Sequence, residues 1–228
     1  MLPKLELPIH FIELPVSKRE IEIRPFVVKQ EKSLITSLDP TKREEAIKVF
    51  EMLIKDCVIT EDFNIKDLNI VDFFYLILQI RMKSTGETVE GQLKCEKCEK
   101  LTDFDINLED SILIKNADTV ENIIKINDKL SVRIIPSNIK IMFTKEDVDI
   151  IDVVASSIDT IIYKKKIYNY FTQKELKENI LNFLTKKDYD IISKGMEKVA
   201  RLYISFDYDC FHCGHINKYE TDDVANFQ

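Results

Sequence analysis

A chain of 228 residues with 45% hydrophobic and 32% charged side chains is long enough to bury a core and is not composed like a disordered segment. Its formal net charge of −7 argues against non-specific nucleic-acid binding, which depends on lysine and arginine neutralising phosphates. No secretory signal is read at the start, and the longest apolar stretch, Leu68 to Ile80, is broken by Asn69, Asp72 and Gln79 and falls short of the ~20 residues of a membrane span, so a reducing cytoplasm is expected.

Residues up to Pro15, punctuated by Pro3, Pro8 and Pro15, read as an extended arm suited to lying on a surface or a partner. Ile21 to Arg24 alternate as a half-buried strand that ends at Pro25, and Glu31 to Ser37 form a short helix. Asp39-Pro40-Thr41 opens a clearer helix with a Thr41/Glu44 capping box and a buried stripe of Ile47, Phe50, Leu53, Ile54 and Cys57, which makes Cys57 a small core residue. Asp67 to Met82 is apolar on nearly every side and is the expected central helix, with Arg81 at its polar end placed to cap carbonyls.

After Ser84-Thr85-Gly86, a strand from Val89 leads into Cys95-Glu96-Lys97-Cys98, and a second strand through Thr102, Phe104, Ile106 and Leu108 leaves it. Two Ile-rich strands are expected at 123–126 and 130–135. Three helices follow, announced by Thr144/Asp147, Thr172/Glu175 and Thr185/Asp188. The first is expected to carry its stripe from Val148 through Ile158, Ile161 and Ile162; the second runs to Leu184 through Phe183, and the third carries Ile192, Met196 and Val199. Strand alternation returns at 201–209, delivers Cys210-Phe211-His212-Cys213, and resumes from Ile216 to Tyr219.

Four of the five cysteines therefore sit in two C-x-x-C turns, each between strands. In a reducing compartment such pairs favour metal over disulfides, and Cys95, Cys98, Cys210 and Cys213 are together a tetrahedral thiolate set with no open position, the pattern of a structural zinc. A zinc of that kind contributes folding free energy on the order of 10 kcal/mol. The 111 residues between Cys98 and Cys210 exceed the ~15–20 usual in compact zinc modules, so the two half-ribbons must embrace an insertion. Competing readings are redox chemistry by a single pair, and a site that has lost its metal or recruits His212 or His215. No catalytic residues are identified: the chain has three histidines, four glycines and no nucleophile or phosphate-loop motif. Asp103, Asp105, Asp207 and Asp209 beside the knuckles read as a solvated face.

The order of Glu22-Ile23-Arg24-Pro25, Glu31-Lys32, Asp56-Cys57-Val58, Arg81-x-x-Ser84-x-Gly86, the C-x-x-C pairs and the tail Asp223 to Phe227 resembles the baseplate hub assembly proteins of T-even-type contractile-tailed bacteriophages. The resemblance implies a non-enzymatic late protein, a chaperone or component of the baseplate hub whose partners are hub or tail proteins. It would work in the host bacterial cytoplasm during assembly or in the tail baseplate of the virion.

The expected fold is α+β. Split zinc-ribbon-like hairpins are closed by the four cysteines around a mainly helical insertion, with a hydrophobic central helix. Residues 1–110 form an N-terminal α/β part with the first knuckle, 111–200 the insertion, and 201–228 the strand and second knuckle that pack back on the first. Neither nucleic acid nor a membrane span is expected, and the oligomeric state is left open. A zinc-ribbon nucleic-acid-binding regulator is the alternative function, and a thiol oxidoreductase or metallohydrolase the third.

Overall fold

The structure is a computed structural model that describes residues 6–37, 43–117, 122–144 and 149–224. Its backbone divides into two units, one of residues 1–63, 74–115 and 202–228, the other of residues 64–73 and 116–201. Among the described residues, no helix is long and apolar enough to cross a membrane.

The first unit begins with an antiparallel pair, β1 (His10–Glu13) and β2 (Glu20–Ile23). The expected extended arm is thus corrected from His10 onward. Ile12 and Leu14 point inward at 9% and 0% exposure while Phe11 and Glu13 point out, and burial of that alternate pair holds the segment in a sheet despite Pro8 and Pro15. Helices α1 (Val28–Ser37) and α2 (Arg43–Cys57) follow. The Thr41/Glu44 capping box lies outside the described residues.

β2 is sewn to the end of α2: the Arg24 N–H donates to the Cys57 carbonyl at 2.8 Å, the Ile59 N–H to Glu22 at 2.8 Å, and the Arg24 guanidinium to the Asp56 carbonyl at 2.8 Å. Cys57 is fully buried, and burial raises its thiol to about 11 from an ordinary 9.0. This is the inert core cysteine expected of its stripe position.

Helix α3 (Ile70–Thr85) starts three residues later than Asp67 because Asn69 caps it, accepting from the N–H groups of Val71 and Asp72 at 3.0 Å each. Leu76, Ile77, Leu78 and Ile80 are at most 2% exposed, which accounts for its apolar circumference. Its C-terminus closes on Gly86 at φ +98, whose N–H reaches the Met82 carbonyl at 3.0 Å. Arg81 caps from outside, donating to the carbonyls of Gly86 and Thr88. The Ser84 hydroxyl accepts the Phe26 N–H at 2.9 Å, so the residues after Pro25 are tied to the end of α3.

A hairpin of β3 (Thr88–Lys94) and β4 (Leu101–Asn107) leads into a one-turn helix α4 (Leu108–Ser111), capped by Asn107, and strand β5 (Ile112–Lys115). Gly91 stands opposite Phe104 in this hairpin, and the Phe104 ring fills the space where a Cβ would sit, 2.7 Å from its Cζ.

The second unit is built on an antiparallel sheet in the order β6 (Ile123–Lys125), β7 (Leu130–Ile134), β8 (Ile158–Tyr163) and β9 (Lys166–Tyr168). In sequence order, α5 (Lys140–Thr144) and α6 (Ile150–Ser157) lie between β7 and β8, and α7 (Gln173–Asn179) and α8 (Lys186–Met196) follow β9. Val132, Ile134, Val154, Leu176 and Ile192 form the centre of its core. The segment before α3 belongs here too, with the Ile139 N–H donating to the Leu68 carbonyl at 3.0 Å.

The Thr172/Glu175 and Thr185/Asp188 capping boxes form as expected. The expected first helix does not. Asp147 lies outside the described residues, α6 is capped instead by Asp149 with Asp152, and it ends at Ser157. The hydroxyls of Ser156 and Ser157 bond back to the Val153 carbonyl and compete with the helix ladder, and the β-branched run that follows pairs Ile161 with Val132 and Thr160 with Arg133. The second helix likewise stops at Asn179, and Phe183, expected in its stripe, is 78% exposed.

The chain returns to the first unit through β10 (Arg201–Asp209) and β11 (Ile216–Thr221), which form a three-stranded sheet in the order β11-β10-β5.

Candidate metal centre

The two C-x-x-C segments fold into two copies of one turn. In the first, the Cys95 N–H donates to the Lys100 carbonyl at 2.9 Å and the Glu99 N–H returns to Cys95 at 2.9 Å. In the second, Cys210 donates to His215 at 2.9 Å and Gly214 returns to Cys210 at 2.8 Å. Both turns place the residue four beyond the first cysteine in the left-handed region, Glu99 at φ 59 and Gly214 at φ 67. Each turn also aims N–H groups at its leading sulfur, those of Cys98 and Lys97 at Cys95 and those of His212 and Cys213 at Cys210.

The β3–β4 and β10–β11 hairpins bring these turns face to face. Cys95 Sγ lies 3.7 Å from Cys213 Sγ and Cys98 Sγ lies 3.6 Å from Cys210 Sγ, with all four sulfurs within 4.8 Å of one another. A disulfide needs sulfurs about 2.05 Å apart. A tetrahedral ion with sulfur ligands at about 2.3 Å would instead set them about 3.8 Å apart. The four cysteines that sequence singled out are therefore brought together, and they could hold a metal ion.

The electrostatics fit thiolate ligation. Cys210 is drawn down to about 5 by the Thr102 hydroxyl, which donates to its sulfur at 3.3 Å, helped by the N–H groups of His212 and Cys213 and opposed by burial. Cys213 moves the other way, up to about 12: the His215 N–H favours its thiolate, but the sulfurs of Cys210, Cys98 and Cys95, with some desolvation of an otherwise exposed thiol, together outweigh it. Four sulfurs this close cannot all carry charge without a cation among them, and a divalent ion reverses that penalty.

Three contacts tie one hairpin to the other around the sulfurs. The Tyr208 hydroxyl donates to the Lys94 carbonyl at 2.8 Å, the Asn217 carboxamide oxygen accepts the Glu96 N–H at 2.9 Å, and the His212 Nε2 donates to the Leu101 carbonyl at 3.2 Å. Asn217, 1% exposed, also donates to the carbonyls of His215 and Tyr208, so its buried carboxamide is fully used. Alongside, the Phe206 ring packs against Phe104 at 5.1 Å and Tyr219 at 5.2 Å. His212 is thus occupied by a carbonyl, and neither it nor His215 joins the sulfur cluster. Asp103, Asp105, Asp207 and Asp209 are exposed, as a solvated face requires.

Thr102, Tyr208 and Asn217 escape a search for ligand motifs, because none is a ligand. Asn217 alone leaves a sequence signal, a carboxamide in the interior of a strand, where such residues are depleted.

Fold and site together define an α+β protein in which thiols from distant parts of the chain converge on one closed set that could bind a metal ion. The family model described as T4 bacteriophage base plate protein matches residues 7–227, and the chain belongs to that family. It is a phage baseplate protein. No curated protein and no solved structure matches it.

Proposed function

We propose that the chain is a non-enzymatic assembly protein of the phage tail, a chaperone or component of the baseplate hub, and that Cys95, Cys98, Cys210 and Cys213 hold one structural zinc. The convergence of the four sulfurs carries this reading, with spacings across the two knuckles of 3.6 and 3.7 Å that suit a tetrahedral ion. A thiolate from every corner leaves no position for water or substrate, so zinc bound there would supply cross-linking and charge neutralisation. The family supports partners among phage tail and baseplate proteins.

Metal analysis of the purified chain tests the site: about one zinc per chain is expected. Cys95→Ser and Cys210→Ser should each lose it, and zinc retained by both variants would refute the shared site. Recovery of hub proteins with the tagged chain from infected cells tests the role. Recovery of nucleic acid or polymerase would favour the regulator reading instead.

A further inference from the structure

The second unit carries a surface that the metal site leaves unused. Between Asp159 and Glu175 the sequence holds Lys164, Lys165, Lys166 and Lys174 and no acid, in a chain of net charge −7. Three of these lysines form the tip of the β8–β9 hairpin. Lys129 is drawn beside them, because the Lys164 N–H donates to its carbonyl at 2.8 Å.

Tyr163 pairs with Lys166, which leaves Lys164 and Lys165 as a two-residue turn at φ 49 and 68. Positive φ at both positions is the type I′ turn, which asparagine and glycine adopt at less cost than lysine. Local stability therefore does not explain the lysines.

β9 is the edge of its sheet, and among the described residues no strand pairs with its far side. In a two-residue hairpin the closing pair, Tyr163 with Lys166, and the pair Ile161 with Tyr168 exchange the ladder bonds, so the N–H and C=O of Ile167 point away from β8. The Ile167 residue is 68% exposed and Tyr170 95% exposed. A second copy of this edge, paired antiparallel through Ile167, would set each Lys166 against the other copy's Tyr168 and leave the lysine tips at opposite ends with no counter-charge. An acidic strand meets the reverse situation.

We infer that the β9 edge is a docking site for an extended, acidic segment of a partner protein, which adds a strand through the Ile167 backbone and is drawn in by Lys164, Lys165 and Lys166. The proposal is independent of the metal site.

Fluorescence anisotropy with the full chain tests it. The probes are a labelled peptide of alternating Glu and Val, about eight residues long, its Lys-Val counterpart, and a single-stranded oligonucleotide of matching charge. The acidic peptide is expected to bind, the Lys-Val peptide not. The triple variant K164E/K165E/K166E should weaken binding about tenfold or more. Ile167→Pro should also weaken it about tenfold, because proline removes the outward N–H and leaves the β8 ladder intact. If that variant melts early, an acidic peptide N-methylated at alternate residues replaces it and should bind about tenfold more weakly in the register that blocks pairing. Three results would overturn the proposal: no binding of the acidic peptide, binding indifferent to both backbone blocks, or preference for the oligonucleotide.

Discussion

Tyr208 and Asn217 stand directly opposite each other on β10 and β11, and both reach out of their own hairpin to the backbone flanking Cys95. One donates to Lys94 and the other accepts from Glu96, so the first knuckle is held in place by the second before any ion is considered. The hydrogen bonds set the approach of the hairpins, and the approach sets the sulfur spacing.

Asn217→Ala should therefore cost more than its size suggests. It leaves the Glu96 N–H without its partner beside a buried site, a loss of about 1–3 kcal/mol. Tyr208→Phe, which removes a single hydroxyl bond, should cost about 0.5–1.5 kcal/mol. Urea denaturation of both variants gives the comparison, and equal, negligible losses would show that these contacts do not hold the hairpins together.

The two knuckle turns should respond in opposite senses to glycine. Gly214 has open space where a Cβ would go, so Gly214→Ala meets only the backbone penalty of its positive φ, about 1–2 kcal/mol. Glu99 already bears that penalty, and Glu99→Gly should leave stability unchanged or raise it by up to about 1 kcal/mol. Thermal melts of the two variants decide the sign.

Gly91→Ala should destabilise for a different reason. Its φ is not in the left-handed region, but the new Cβ would meet the Phe104 ring 2.7 Å away, and moving that ring disturbs its contact with Phe206. A cost of about 1–3 kcal/mol is expected from such overpacking. Shortening the ring with Phe104→Leu in the Gly91→Ala background should recover part of it.

Thiol chemistry should separate Cys57 from the other four. Its pKa is raised by burial, so it contributes stability that is fully present below the ordinary thiol value of 9.0 and is lost as pH rises through about 11. A thiol reagent at neutral pH should leave Cys57 untouched until the chain unfolds. Cys210 has the opposite sign in the metal-free protein: its depressed value gives stability present above 9.0 and lost as pH falls through about 5. Chelator treatment should open the four knuckle cysteines to the reagent, with exposed Cys213 accessible and Cys57 still protected. Modification of Cys57 in the folded chain would contradict its place in the core.

Much of the site was legible in sequence because C-x-x-C between two alternating strands is a local pattern, and it occurs twice. What joins the two copies was not legible. Whether Thr102 meets Cys210 depends on the register of two hairpins more than a hundred residues apart. The motifs Glu22-Ile23-Arg24-Pro25 and Asp56-Cys57-Val58 read as separate, yet Arg24 and Cys57 share a hydrogen bond, and Phe26 meets Ser84 of the next motif.

The misread elements have equally physical causes. Ile158, Ile161 and Ile162 are spaced by three and four from the helix before them, so one set of apolar residues fits both a helical stripe and a buried strand. Strand pairing with β7 decides between them. At the N-terminus Pro8 and Pro15 flank so short a stretch that the two-residue period of Ile12 and Leu14 is masked by their extended, strand-breaking signal.

X-ray absorption at the zinc edge of the purified full chain tests the clasp most directly, because it counts the ligands and measures their distance. Four sulfurs at about 2.3 Å are predicted, with no nitrogen or oxygen in the shell. A shell containing nitrogen, oxygen or fewer than four sulfurs, or purified protein without zinc, would contradict the account.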